Sequence, residues 1–265
     1  MFGMNTPRSF DRRRLFRLAA GAAAAGRLVS PRPVSGVPAS KIKAVLFDAF
    51  PVFDPRPVFA LADRLYPGKG NELSNEWRTR QFEYTWLRTA SHRYADFWQV
   101  TEDALVFAAK KLKLNLGRDE RTRLMNAYLE LKTWPDVSPA LKALKGSGLK
   151  LGFLSNFTPK MLDACLKAAG LGHEFDHVLS TDAARTFKPD PRAYQIGVDA
   201  LNLRPEEILF AAFAGWDATG AQWFGYPTFW VNRLNQPAEE LGTAPTAVGK
   251  GLADLVSHLG LSAAK

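Results

Sequence analysis

A single cysteine, Cys165, in 265 residues leaves no partner for an intrachain disulfide. An oxidising compartment would therefore be tolerated without being required. Histidine is almost as scarce, and His92, His173, His177 and His258 stand at no spacing that would assemble a metal site. No apolar run is long enough to cross a bilayer as a helix in the mature chain. Apolar residues are nonetheless 46% of the total, enough for a full core. The length suits one α/β domain with an insertion, or two small domains. Positive charge is unevenly spread: seven arginines against one acid give residues 1–40 a charge of +6 out of +9, leaving +3 for residues 41–265. The basic balance therefore argues against a nucleic-acid partner for the body of the chain.

Residues 1–40 read as an export leader. Basic Arg12-Arg13-Arg14 precedes Leu15-Phe16, an Ala-rich run from Leu18 to Ala25, and a Pro/Ser segment around Val37-Pro-Ala-Ser40. Arg13-Arg14-Leu15-Phe16 resembles the twin-arginine core, an address read by export machinery rather than an anchor. Twin-arginine systems carry folded proteins, which suits a core without disulfides. The expectation is a periplasmic or otherwise exported protein with no membrane segment in its mature form. A disordered basic tail is the alternative.

Beyond the leader, five short apolar runs read as strands: Ala44–Phe47, Leu149–Leu154, His177–Ser180, Ile208–Ala212 and Thr228–Val231. Helical patterns separate the later ones, over Pro159–Ala169, Pro191–Leu201 and Ala218–Phe224, the first and last ending at Gly170 and Gly225. This alternation predicts an α/β fold, a doubly wound parallel sheet. Between the first two strands, Pro57–Tyr66, Glu72–Ala90, Tyr94–Leu112 and Glu120–Leu131 carry helical spacing of apolar residues. That is too much chain for a crossover, so it predicts an inserted helical cap over the strand ends, able to exclude water. The division is then 1–40 leader, 41–55 with 138–265 core, and 56–137 cap.

Lys43-Ala-Val-Leu-Phe-Asp-Ala-Phe50 is an apolar run that ends on one carboxylate, Asp48. Open α/β sheets bind ligands at the C-terminal ends of their strands, and a carboxylate buried there is costly unless cations or hydrogen bonds offset it. The same topology brings in Ser155 and Asn156 before a helix N-terminus, Lys188 from Phe-Lys-Pro-Asp-Pro, and Asp217 from Gly-Trp-Asp-Ala-Thr-Gly. Each has a plainer reading. Ser155 and Asp217 could cap helices, Lys188 could be a solvated loop lysine, and Arg78 lies with Arg80 and Arg88 on a charged helix face. The Trp77–Trp86 aromatic stripe reads first as core, with a homodimer surface as the alternative.

The ordered set of Asp48, Ser155, Lys188 and Asp217 resembles the haloacid dehalogenase superfamily from Lys41 to about Leu241, which implies a Rossmann-like core. Phosphatases of that superfamily carry a second Asp two residues after the nucleophile, where this chain has Phe50, which cannot donate a proton. Only Asp217 and Asp182 remain to join Asp48 around a magnesium ion, so no metal and no cofactor are expected. The chain is more similar to the (S)-2-haloacid dehalogenases, the type II group, through Trp77-Arg-Thr-Arg-Gln-Phe-Glu-Tyr-Thr-Trp-Leu-Arg88, Thr101-Glu-Asp-Ala-Leu105, Lys188-Pro-Asp-Pro-Arg-Ala-Tyr194, Trp216-Asp-Ala-Thr-Gly-Ala221 and Val231-Asn-Arg233.

That resemblance implies the hydrolysis of short 2-haloalkanoic acids through an aspartyl ester. Asp48 would be the nucleophile and Arg78 the residue that stabilises the departing halide. Ser155 and the backbone near Asn156 would hold the substrate carboxylate. Lys188, supported by Tyr194, would keep Asp48 ionised, and Asp217 would help to activate water. Phe50, Phe82, Phe97 and Trp216 would wall the pocket.

Three departures bear on the second half-reaction. The group's Thr four residues after the nucleophile is Val52 here, and a Ser and an Asn after the fourth strand are Ala212 and Ala214. One lost positioning hydrogen bond in a buried site costs on the order of 1–3 kcal/mol, roughly tenfold to a hundredfold in rate. The rival expectations are a phosphatase of the same superfamily and an impaired protein that binds a small carboxylate. For the leader, N-terminal sequencing of exported protein should find the mature chain starting near Ala39; an intact Met1 start on the exported form would count against cleavage.

Overall fold

An apolar strand with no polar face needs cover on both sides. Strand β1 (Ala44–Phe47), buried at every residue, lies between β4 (Lys150–Ser155) and β6 (Ile208–Ala212), parallel to both. The computed structural model describes residues 41–262, so the expected leader lies outside the described residues. With β5 (His177–Ser180), β7 (Thr228–Val231) and β8 (Ala247–Gly249), the sheet runs β5-β4-β1-β6-β7-β8, all neighbours parallel. From β1 the chain moves outward through β4 to β5. It then returns to β6 on the other side of β1. The diverging connections leave a crevice at the C-terminal ends of β1 and β6, where open α/β sheets bind ligands.

Alternation along β1 separates two cores. Val45 and Phe47 join one apolar cluster with α6 (Val137–Gly146), α7 (Pro159–Ala169) and α10 (Leu252–His258). Ala44 and Leu46 join another with α8 (Pro191–Leu201) and α9 (Gly215–Phe224). Thr158 caps α7 by accepting from the Met161 N–H at 3.2 Å, Pro159 fits its first turn, and Gly170 ends it at φ 67°.

Four helices make up the inserted segment, α2 (Arg56–Leu65), α3 (Gly70–Ala90), α4 (Phe97–Lys111) and α5 (Arg118–Asn126), the last passing into a 3-10 turn at Ala127–Leu129. A short ladder at the base pairs β2 (Phe53–Asp54) antiparallel with β3 (Lys132–Thr133), closing the chain where it enters and leaves the helices. Buried Trp77 and Gln81 on α3 donate to the Thr101 carbonyl (2.8 Å) and hydroxyl (2.7 Å) on α4. Gly70 allows α3 to start against α2, because a Cβ there would lie 2.3 Å from Asp63 Cα.

Beyond shifts of a few residues at element ends, the structure departs from the sequence expectation in particular places. The strand β8 is extra; its three residues show no apolar alternation and Val248 is exposed. The two-residue β2–β3 ladder has no sequence signal either, since pairing across the base of the helical segment is a tertiary event. Helix α4 starts at Phe97, capped by Asp96, rather than at Tyr94. Helix α9 starts at Gly215, three residues earlier than its apolar pattern, because Gly215 and Trp216 already wind into its first turn.

Candidate active site

Asp48 follows β1 directly and caps the single turn α1 (Ala49–Val52), its Oδ2 accepting from the Phe50 N–H at 3.3 Å. Its Oδ1 accepts from Lys188 Nζ at 2.9 Å, with Ser155 Oγ at 3.5 Å. Lys188 Nζ also donates to Asp217 Oδ2 at 2.6 Å. The lysine and Asp217 side chains are almost wholly buried (1% and 2% exposed), whereas Asp48 keeps 13% of its side chain open. One ammonium is therefore shared by two carboxylates, of which Asp48 is the more open.

The titration of this group follows from that sharing. Burial alone would lower the Lys188 ammonium, but Asp217 and Asp48 outweigh it and hold it above its ordinary value. Burial pushes the Asp217 carboxyl up to about 6. Lys188 and the Tyr194 hydroxyl pull it back, while the neighbouring charge of Asp48 adds to the rise. Asp217 is not the cap of α9: that position is Ala214, which has no capping side chain, and Asp217 lies in the first turn.

Tyr194 departs from its expected place. Its hydroxyl donates to Asp217 Oδ1 at 2.8 Å and makes no bond to Lys188, and the residue is fully buried in the core behind α9. It therefore holds Asp217 and does not border the substrate space, because α8 packs its ring behind the carboxylate rather than in front of it. Asn156 likewise works inward. Its Oδ1 accepts from the Lys188 backbone N–H (3.0 Å) and the Thr181 hydroxyl (3.2 Å), fixing the lysine loop to the end of β4. Ser155 Oγ accepts from the Phe157 N–H at 3.2 Å while facing Asp48, so local turn and site share one hydroxyl.

Every expected site residue except Tyr194, Asn156 included, borders one cavity of about 490 Å³ beside Asp48. Arg78 reaches it from α3. On the same helix, Arg80 is tied to Glu76 and Glu83, and Arg88 to Asp103. Among the described residues Arg78 has no carboxylate partner, and its guanidinium lies 5.1 Å over the Phe59 ring. Phe50 stands edge-on to Phe157 (5.4 Å between ring centres) and tilts against Phe213 (5.6 Å); Phe97 packs on Phe157 (5.7 Å). Phe59, Tyr128 and Phe213 are wall residues that the sequence reading did not single out. Phe213, one residue past β6, had a positional signal; the other two depend on how the helices fold over.

The donor set does not fit a divalent metal. Lys188 already occupies the space between Asp48 and Asp217, and the third acid considered, Asp182, accepts from the Tyr94 hydroxyl away from them. Val52 and Ala212 are buried, and Ala214 borders the cavity, so these positions present carbon to the nucleophile and to α9.

Where Val52 offers no hydroxyl, the turn after Asp48 is held by its carbonyls. The Phe50 carbonyl accepts from Trp134 Nε1 (2.9 Å), Pro51 from Arg233 Nη2 (2.9 Å), and Val52 from the Trp134 N–H (3.2 Å). Arg233 also grips Asp136 with both terminal nitrogens (2.9 and 3.2 Å). The guanidinium carbons of Arg233 and Arg56 lie over the Trp134 ring, 4.7 and 4.5 Å from its centre.

The model of the haloacid dehalogenase-like hydrolase family matches residues 42–225. The (S)-2-haloacid dehalogenase of Pseudomonas sp. (strain YL) is 45% identical over 205 residues, 77% of this chain and 88% of that one. Haloacetate dehalogenase H-2 of Moraxella sp. (strain B) is 38% identical, over 77% of this chain and 92% of that one. Among solved structures, an L-2-haloacid dehalogenase from Xanthobacter autotrophicus with chloropropionic acid covalently bound superposes with a TM-score of 0.76. It is 36% identical, with 82% of this chain and 98% of that one covered.

The carbonyl clamp generates a prediction. Trp134→Phe keeps the ring stack but leaves the part-buried Phe50 carbonyl without its donor, and should lower unfolding free energy by about 1–3 kcal/mol. The urea midpoint should fall with an unchanged slope; an unchanged midpoint would mean that this hydrogen bond contributes nothing.

Proposed function

The chain belongs to the haloacid dehalogenase-like hydrolase family, and from that premise we propose that it is an (S)-2-haloacid dehalogenase. The observation that carries this reading is the Lys188 ammonium held between Asp48 and Asp217 beside the cavity, with Asp48 the more exposed of the two carboxylates. A lysine cation keeps both acids usable as anions, and burial keeps water from blunting the nucleophile.

In the first step a carboxylate oxygen of Asp48 attacks C2 of the acid opposite the halogen. The carbon–halogen bond breaks, halide leaves with the electron pair toward Arg78, and C2 inverts, leaving an aspartyl ester. Ser155 and the adjoining backbone receive the substrate carboxylate. In the second step water adds to the ester carbonyl of Asp48, giving up a proton toward Asp217. The acyl–oxygen bond then breaks and the departing oxygen is protonated. The products are a 2-hydroxy acid, halide and one proton, with Asp48 restored. Phe50, Phe82, Phe97 and Trp216 keep bulk water away, and Tyr194 positions Asp217. Export through the twin-arginine machinery belongs to the proposal on the residues of the leader alone.

Ester formation also prepares the second step. It removes the charge of Asp48, one of the causes that raise Asp217. Asp217 therefore ionises more readily in the intermediate, the state in which a base is needed. A second reading, an ester that decays slowly, is favoured by the apolar Val52, Ala212 and Ala214 around the hydrolytic step.

Two predictions test these readings. Residues 41–265 incubated with (S)-2-chloropropionate and a chelator should release chloride, and intact mass should show an adduct on Asp48 that Asp48→Asn abolishes. Sustained release indicates turnover, a persistent adduct indicates the slow ester, and absence of both across several 2-haloacids sinks the dehalogenase proposal. In the free enzyme, carbon NMR of the Asp217 carboxyl should titrate near pH 6, and the acid limb of ester decay should lie below that value. Because the Tyr194 hydrogen bond favours the charged carboxylate, Tyr194→Phe should move both upward. A limb for ester decay at or above the free-enzyme value would contradict the charge-removal argument.

A further inference from the structure

Only part of the cavity is needed for the chemistry just described. Even at the roughly 30 Å³ that each molecule claims in liquid water, the six heavy atoms of 2-chloropropionate fill less than about 180 Å³. The cavity of about 490 Å³ is more than twice that and falls in the range of pockets that enclose far larger ligands.

The remaining space has an aromatic side. Trp216, next to Asp217 in sequence, meets Phe82 edge-to-face at 5.2 Å and Trp86 at 5.6 Å; Phe82 and Trp86 stack at 6.3 Å. Trp86 is 38% exposed, so this group of rings runs from the buried acid to the rim. Leu234, 40% exposed, also borders the cavity, on a loop where Asn232 and Gln236 satisfy each other. There, Asn232 Oδ1 accepts from the Gln236 N–H and Asn232 Nδ2 donates to the Gln236 carbonyl, both at 2.8 Å. Large apolar groups left open at the rim of a reactive cavity mark a surface that a ligand covers.

Charge on the rim narrows the ligand further. Glu83 is paired with Arg80, and Glu239 projects over Gly215, where a Cβ would lie 3.0 Å from its Oε1. A second carboxylate on the substrate would meet Glu239 across the start of α9, whereas an uncharged ring would find edge-to-face partners worth about 0.5–1.5 kcal/mol beyond burial.

We infer that the preferred substrates are 2-halo acids with an uncharged aromatic group on the carbon next to C2, the 2-halo-3-arylpropionates, their ring held by Phe82, Trp86 and Trp216. This inference rests on the dehalogenase reading and names its substrate class. The test compares kcat/KM for chloride release from (S)-2-chloro-3-phenylpropionate and (S)-2-chloropropionate. The phenyl acid should be favoured by about tenfold or more, the scale on which apolar pockets discriminate. Trp86→Ala, at the exposed rim, should lower the value for the phenyl acid about tenfold more than for the methyl acid. A methyl acid used as well or better, or equal losses in the variant, overturns the aromatic assignment and leaves the dehalogenase reading intact. No chloride from either acid removes both.

Discussion

One ammonium between two carboxylates is the constraint on which the rest of the site depends. Asp48, Lys188 and Asp217 come from the ends of three different segments of the sheet layer, and their charges leave water together. Removing one partner from such a buried group strands the others, at a cost of about 3–5 kcal/mol. The surroundings therefore hold Lys188 and its loop on several sides. Asn156 accepts from its backbone, Tyr194 holds the far oxygen of Asp217, and Gly220 leaves room for both. A Cβ on Gly220 would lie 2.5 Å from Pro189 Cβ and 2.8 Å from the Tyr194 hydroxyl.

The excess negative charge has a chemical use. Two carboxylates on one cation compete for it, and the better buried one, Asp217, is pushed up to about 6. The reaction proposed here neutralises the other. A nucleophile and a base then act in turn because a single lysine cannot fully serve both at once.

Around that charged centre the chain is unusually apolar. Val52 and Ala212 are buried, and Ala214, Phe50 and Phe213 border the cavity, the two phenylalanine rings packed 5.6 Å apart. The turn bearing the nucleophile is instead held from behind, through three carbonyls gripped by Trp134 and Arg233. Rigidity of the nucleophile and placement of water are thus separable. This chain retains the first by backbone hydrogen bonds while offering few side-chain groups for the second.

Much of this was legible in the sequence. Four of the five strands have the ends that their apolar runs suggested, and the fifth differs by one residue at each end; for β1, β6 and β7 the reason is burial at every residue, which leaves few ways to read them otherwise. Asp48, Ser155, Lys188 and Asp217 could be found because each lies at a strand end or in the segment that follows one, and strand ends in a doubly wound sheet converge. The strand β8, the β2–β3 ladder and the early start of α9 were not legible; local composition carries little of their stabilisation. Tyr194 was readable as important, but its partner was not, since spacing along α8 does not say which charged neighbour its hydroxyl meets. The sequence by itself determined which groups exist and which strand ends carry them, because burial and periodicity are local properties of a chain. Only the tertiary structure decided that one lysine serves two acids, that Arg78 alone of the arginines on its helix borders the cavity, and that Trp134 and Arg233 grip the nucleophile turn. Those facts depend on distances between segments far apart in the chain, and only packing sets them.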